Sequence, residues 1–313
     1  MTQILTVTLN PALDLATACA GVTPGPKLRC GPETAEPGGG GVNVARAIVQ
    51  LGGQARAMVA LGGPNGEALA RLLQERGLDI IRHQAPGDTR HSFSVTDEGT
   101  GEQYRFVLSG PEWNEAQLDA VLDHLAQEAE EGAYIVLSGS MPPGCVPGWI
   151  PRACARLSGR RVVVDTSGSH LHHQATAPAP APHVLRMDSA EARDLAGRDL
   201  TARTESADFA ETLRARGAAE IVIIARGKDG SVMATAEGRW HVTAANQTVV
   251  SAIGAGDSFV GGFVKALAEG LKTPEALRQG AAAAAAAVLS PGTQLCRAED
   301  FAAILPRTEL TAL

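Results

Sequence analysis

The sequence predicts an α/β fold: a mainly parallel sheet covered by helices on both faces, with a small β-sheet lid inserted into it. Three observations carry this. Short runs rich in β-branched residues alternate with segments of helical period along most of the 313 residues. That alternation implies right-handed crossovers between parallel strands. Two stretches break the rhythm, roughly residues 12–36, which have no helical period, and 89–108, which read as a hairpin, and these are expected to pair as the lid.

The elements follow in order. "ILTVTL" (residues 4–9) is a β-branched strand, and residues 41–51 keep a helical period until Gly52-Gly53 ends it. "ARAMVAL" is a strand. "NGEALARLLQERG" is a helix with Asn65 as the expected N-cap and Gly77 at its end. "SFSVTDEGTGEQYRFVL" alternates apolar residues on each side of a Gly-rich turn, as a hairpin does. Residues 114–130 are helical. "YIVLSGS" and "RRVVVDTSG" are strands that run into loops of small residues. "HVLRMD" and "EIVIIARG" are further strands with helical segments between them, and "SVMATAEGRWHV" is a second hairpin. Two helices, about 254–270 and 274–289, close the series. "ATAPAPAPH" (residues 175–183) reads as a Pro-rich connector within the domain, because the strand–helix rhythm resumes after it. The alanine run 281–287 lets a helix approach something closely, either a neighbouring element or a flat ligand.

Composition narrows the function classes. With 27 Lys and Arg against 34 Asp and Glu the formal net charge is −7, which argues against nucleic acid as a partner and leaves a small anionic ligand open. The five cysteines are odd in number and lack a C-x-x-C, as expected of free thiols in a reducing compartment. "MTQILTVTLNPALD" lacks a basic leader, and no apolar run is long enough to span a bilayer, so a soluble cytoplasmic protein with no membrane partner is expected. "HLHH" (residues 170–173) has no partner at zinc-site spacing and reads as surface histidines.

Ligands of parallel α/β sheets bind beyond the carboxyl ends of the strands, so the chemistry is sought in the loops there. In "AIGAGDSFVGGF", Gly254-Ala255-Gly256 leaves backbone amides open at a helix start, where an anion is favoured, and Asp257 stands directly behind them. Asp257 is then either a general base for an attacking hydroxyl or merely a helix cap. In "EPGGGGVNVARAI", four glycines precede a helix and permit close backbone approach, and Asn43 is placed to bond a sugar hydroxyl. The stretch is neither a dinucleotide fingerprint nor a Walker motif. Lys27, Arg29 and Arg90 fall in the β-rich insertions, as phosphate ligands if they converge and as surface charges if they do not. Asp188 and Glu191, three apart, suit water-mediated Mg²⁺ or simply the start of a helix.

Taken together these motifs resemble the PfkB (ribokinase-like) carbohydrate kinases. "GAGDSFVGGF" is similar to that family's C-terminal signature and "PGGGGVNVARAIVQLGG" to its N-terminal one, and the resemblance runs over nearly the whole chain. "TVTLNPALD", "KLRC", "GEQYRFV", "LSGSMPPG" and "GTQLC" are most similar to the minor 6-phosphofructokinase branch. The related 1-phosphofructokinases and tagatose-6-phosphate kinases share part of this, often with Gly-Lys-Gly where this chain has Gly39-Gly40-Gly41. The resemblance implies a single kinase domain over 1–313, a ribokinase-like three-layer αβα Rossmann-like core with the small β-sheet lid, and a homodimer through that lid. It implies transfer of phosphate from ATP to fructose 6-phosphate, with tagatose-6-phosphate kinase and 1-phosphofructokinase as alternatives.

By the same resemblance, Asp257 is the base toward the sugar's C1 hydroxyl, with Gly254, Ala255 and Gly256 around the anion hole. Asp14, Gly39, Gly40 and Asn43 hold the sugar, Lys27, Arg29 and Arg90 its phosphate, and Ser140 lines the pocket. Arg186, Asp188, Gly227 and Gly230 lie along ATP, and the alanine-rich helix flanks the adenine. Asp188 and Glu191 face Mg²⁺ through water, and Ser251 and Ile253 line a site for K⁺. Two departures stand out. Arg186-Met187-Asp188 replaces the family's usual Lys-Pro-Asn, which bears on nucleotide binding and leaves a non-catalytic sugar-phosphate sensor as a rival reading. Ser290, Pro291 and Gln294 stand where more polar or basic residues are usual, which bears on the cation.

Overall fold

A computed structural model describes residues 1–313 except 177, 178, 246, 292 and 293. The chain enters through β1 (Ile4–Thr8), buried at every residue, and then forms β2 (Ala12–Cys19) and β3 (Thr34–Gly38). Helix α1 (Gly40–Gln50), β4 (Arg56–Leu61), α2 (Gly63–Glu75) and β5 (Asp79–Gln84) return it to the body. The hairpin β6 (Arg90–Asp97) and β7 (Gln103–Val107) goes back out. There follow α3 (Glu115–Glu128), β8 (Tyr134–Ser138), α4 (Trp149–Arg156), β9 (Arg161–Asp165) and α5 (Gly168–Thr176). Next come β10 (Val184–Asp188), α6 (Ser189–Ala196), α7 (Arg203–Ala215) and β11 (Ile221–Ala225). The chain closes with β12 (Ser231–Thr235), β13 (Gly238–Val242), α8 (Ala255–Ala268), α9 (Thr273–Ala287), α10 (Ala298–Ile304) and β14 (Leu310–Ala312).

The described residues form a ten-stranded sheet in the order β14-β13-β12-β11-β10-β9-β8-β1-β4-β5. From β11 to β5 every pairing is parallel, and β12 to β14 add an antiparallel edge. Apolar side chains leave both faces. One layer packs on α3, α4 and α5 through residues such as Leu125, Trp149 and Leu171, and the other on α1 and α8 through Ile48 and Phe263. The expected αβα layering is what the structure shows. The lid is a separate four-stranded sheet, β3-β2-β6-β7, in which β2 and β6 run parallel and both outer pairs antiparallel. The two stretches without helical period do pair with one another.

Some expectations are corrected. Asn65 does not cap α2. The chain turns at Gly63 (φ +62°), so the helix starts earlier with Gly62 as its cap, and the Asn65 amide donates to the Thr89 carbonyl at 2.9 Å, tying α2 to the root of the lid. Gly77 does end that turn, with φ +73°. Strand β5 lies in a stretch to which the sequence pattern assigned no element, and it forms the sheet's edge beside β4. Two residues of the Pro-rich connector, Ala177 and Pro178, and Gly292-Thr293 of "GTQLC" lie outside the described residues. All five cysteines are free thiols, and only Cys30 is exposed. Among the described residues no helix is long and apolar enough to cross a membrane.

Candidate active site

The site begins where the strand order reverses. From β1 the chain goes to one side through β4 and later to the other through β8, so a crevice opens between the ends of β1 and β8. The start of α1 sits in that crevice, and the glycines let it. A methyl group on Gly40 would meet the Gly139 backbone nitrogen and the Ser138 hydroxyl at 2.5 Å, and one on Gly39 (φ +125°) would meet the Thr8 methyl at 2.6 Å. The helix is pinned there by the Val42 amide, which donates to the Thr8 hydroxyl at 2.9 Å.

Helix α8 packs on α1 and brings Asp257 to the same crevice. Gly254, left-handed at φ +74°, caps α8, and Asp257 makes no capping bond, so it is not the helix cap. Its Oδ2 instead accepts a hydrogen bond from the Asn43 amide at 3.0 Å. Burial, reinforced by the Asp165 carboxylate, pushes the Asp257 acid up to about 7, against the pull of Asn43, Arg186 and Arg46. A carboxyl poised there is suited to take a proton near neutral pH.

Asp257 lies at the floor of a cavity of about 490 Å³ roofed by the lid. The lid's register supplies the wall. Ala12 lies beside Arg90 and Asp14 beside Ser92, and Ser94 faces Arg105 across the hairpin. Side chains alternate across a sheet, so one face presents Asp14, Arg90, Ser92 and Arg105 to the cavity, together with Gly39, Gly40 and Asn43 below. The Arg90 guanidinium is steadied by the carbonyls of Asn10 and Leu108. Burial raises the Asp14 carboxyl above its ordinary value, with Ser92 and Arg90 opposing. The cavity is therefore polar, with Arg90, Arg105, Asp14 and Glu36 on its lid side and Asp257 at its floor.

A second cavity of about 330 Å³ lies on the other side of the α8 start. It is lined by Gly227 and Gly230, by Val249, and by Ala281, Ala284 and Ala285 of α9. The alanine run packs closely on a neighbouring element and also lines this cavity. Ala283 packs so tightly on α8 that a methyl on Gly262 would lie 2.8 Å from it, while the neighbouring alanines leave an apolar slot for a flat group. Arg186 lines this slot beside Gly256, 14 % exposed, with its guanidinium 3.0 Å from Asp165 and over the Phe259 ring. The amides at the start of α8 thus stand between a polar cavity and an apolar one.

Asp188 and Glu191 form a capping box. Asp188 Oδ1 accepts from the amides of Ala190 and Glu191, and the Asp188 amide donates to Glu191 Oε2 at 2.8 Å. Among the described residues no three acidic, histidine or cysteine side chains gather as a metal cage. The Asp188 and Glu191 carboxylates are thus both engaged at the start of α6, as the helix-start alternative expects. Ser251 and Ile253 lie on the loop before α8, where the Ile253 amide donates to the Ser251 hydroxyl at 3.2 Å. The amides of Val250 and Ser251 donate to the Val288 carbonyl. Just beyond, the buried Ser290 hydroxyl has no partner among the described residues, which fits a monovalent cation bound by carbonyls and a hydroxyl.

Asp188, Glu191 and Ser251 line neither cavity, and three residues expected on the sugar side also stand apart. Lys27 and Arg29 are exposed on the loop between β2 and β3 and line neither cavity, because that loop is held along the far end of β2 by the Gly31 amide and the Thr17 hydroxyl. Ser140 is exposed and accepts from the Asn10 amide at 3.3 Å without lining the sugar-side cavity. Arg105, Asp165 and Arg46 were missed. The alternation of the hairpin was sufficient to place Arg105 on the face of Arg90, but nothing local marks Asp165 or Arg46.

The profile described as pfkB family carbohydrate kinase matches residues 7–300. The ATP-dependent 6-phosphofructokinase isozyme 2 of Mycobacterium tuberculosis is 37 % identical over 300 residues, 95 % of this chain and 87 % of that protein. Its Escherichia coli counterpart is 37 % identical over 302 residues, 96 % and 97 % of the two chains. The solved phosphofructokinase-2 of Escherichia coli in complex with potassium superposes with a TM-score of 0.91 at 36 % identity, covering 98 % of this chain and 99 % of that one.

Proposed function

The chain belongs to the pfkB family of carbohydrate kinases and is a phosphotransferase acting on a sugar alcohol group, and on that premise we propose that it phosphorylates fructose 6-phosphate with ATP. The observation that carries this is the pairing of the two cavities across the α8 start, one polar with Arg90 and Arg105 at its roof, the other an apolar slot. The relatives named as 6-phosphofructokinases support the choice of sugar.

In this reading Asp14 and Asn43 hold the sugar hydroxyls between Gly39, Gly40 and the lid, and Arg90 and Arg105 hold the substrate's phosphate. Asp257 takes the proton of the C1 hydroxyl as that oxygen attacks. The amides of Gly254, Ala255 and Gly256, with Arg186 beside them, face the charge that develops on the transferred group. Gly227, Gly230 and the α9 alanines receive the nucleoside. Mg²⁺, carried on the nucleotide phosphates, supplies charge neutralisation, with Asp188 and Glu191 reaching it through water. Ser251, Ile253 and Ser290 provide for K⁺, a proposal supported by the potassium complex of the relative. The retained Asp257 and its open loop argue against the sensor reading.

The whole chain works as one domain, and a homodimer forms through the outer face of the lid. Lys27 and Arg29 stand outside this chain's cavity, so a phosphate-binding role for them requires that second copy. The test is a kcat/KM panel with fructose 6-phosphate, tagatose 6-phosphate, fructose 1-phosphate and fructose. Fructose 6-phosphate is expected to lead, with unphosphorylated fructose at least about a thousandfold lower for want of two charge-assisted contacts. Preference for fructose overturns the proposal.

A further inference from the structure

Asn43 is a two-ended group. Its oxygen only accepts and its nitrogen only donates, and the two ends have nearly the same shape, so neighbours decide which end points where. On one side stands Asp257, whose ionised carboxylate only accepts. On the other stands Arg46, three residues on along α1, whose guanidinium only donates. Arg46 is 5 % exposed and a buried cation needs partners. Its Nη1 donates to Asn43 Oδ1 at 3.1 Å and reaches the Pro37 carbonyl at 3.5 Å. With the oxygen claimed by Arg46, the Asn43 nitrogen faces Asp257 Oδ2 at 3.0 Å.

A flipped amide would set its NH₂ against Arg46 and its oxygen against Asp257. Only a protonated Asp257 satisfies that second contact, and a protonated Asp257 accepts no proton from a hydroxyl. We infer that Arg46 is a positioning residue, which holds Asn43 in the one orientation that donates to Asp257 and so keeps the carboxylate able to act as base. The inference rests on the reading of Asp257 as base. Charges facing Asp257 are Asp165 at the end of β9, Arg186 on β10 and Arg46 on α1. Those facing Arg46 are Arg76 after α2, Glu36 on β3, Asp14 on β2 and Asp257 on α8. Arg46 therefore acts on Asp257 both through the amide and across space, and the test must separate the two.

Wild type, Arg46→Met, Arg46→Lys, Asn43→Ala and the Arg46→Met/Asn43→Ala double variant are compared as full chains. Two quantities are read: the pH dependence of kcat/KM, and the ¹³C titration of the Asp257 carboxyl in the ligand-free protein, assigned by its loss in Asp257→Asn. Arg46→Met is expected to raise the carboxyl midpoint by about one unit and to lower kcat/KM at pH 7 about fivefold, with Arg46→Lys restoring most of both. In the Asn43→Ala background the same change is expected to move the midpoint by less than half as much. A folded Arg46→Met chain with an unmoved midpoint overturns the inference, and so does an equal shift with and without Asn43. Should Arg46→Met not fold, Arg46→Gln takes its place under the same criteria. The carboxyl titration requires no turnover, so it stands apart from failure of the substrate assignment, which would show in the wild type.

Discussion

Asn43 and Asp257 are 214 residues apart in the chain, yet a single hydrogen bond joins them, and the proposed chemistry depends on that contact. With the Asp257 acid at about 7, kcat/KM should fall about fiftyfold between pH 7 and pH 5 as the base is protonated. A flat profile over that range would remove Asp257 from the rate-determining proton transfer. The same raised acidity constant makes a stability prediction. The folded chain holds the Asp257 proton more tightly than the unfolded chain, so the penalty for its charge is absent below about pH 4 and complete above about pH 7. Asp257→Asn is accordingly expected to raise Tm by a few degrees at pH 8 and to leave it unchanged near pH 4, as thermal melts would show. Individual residues were unevenly legible. Asp257 and Asn43 were visible because glycine-rich loops precede them at helix starts, whereas Asp14 was reached only through the family resemblance. Arg46 was not, since an arginine inside a helical run ordinarily reads as a solvated face.

At the scale of elements, the start of α1 is the tightest fit in the site. Gly40→Ala places a methyl against backbone of the loop after β8, which cannot yield, and so displaces the helix carrying Asn43. Such a shift is expected to cost at least about a hundredfold in kcat, because misplacement of about 1 Å is enough to spoil in-line attack. Gly148→Ala, with no atom within 4 Å of the added methyl, should match wild type in the same assay. Most elements were legible from period alone, as at β1 and the hairpin of β6 and β7, where alternation and a Gly-rich turn agree. Strand β5 was hidden because its "DIIRHQ" is half exposed at the sheet edge and shows no clean alternation. The cap at Asn65 was misjudged because Gly63 adopts a left-handed turn that a sequence pattern does not register.

Over the whole molecule, two sheets divide the work: the large one aligns the helix starts, and the lid supplies the roof of the polar cavity. The sequence carried this division through its two breaks in rhythm, but it did not show that Lys27 and Arg29 lie outside the cavity, since loop paths are set by tertiary contacts. The lid also leaves Phe106 54 % exposed and Tyr104 36 % exposed on its outer face, a surface suited to a second copy. Phe106→Asp is expected to give monomers by sedimentation at micromolar protein with the melt unchanged, and a dimer that persists would place the interface elsewhere. The central claim remains that phosphate crosses from the apolar cavity to the polar one past Asp257. Its most direct test is ADP formation from ATP, Mg²⁺ and fructose 6-phosphate by wild type and Asp257→Asn side by side. The account predicts turnover in the wild type and a loss of at least about a thousandfold in the variant with ATP still bound. Equal turnover in the two proteins would contradict it.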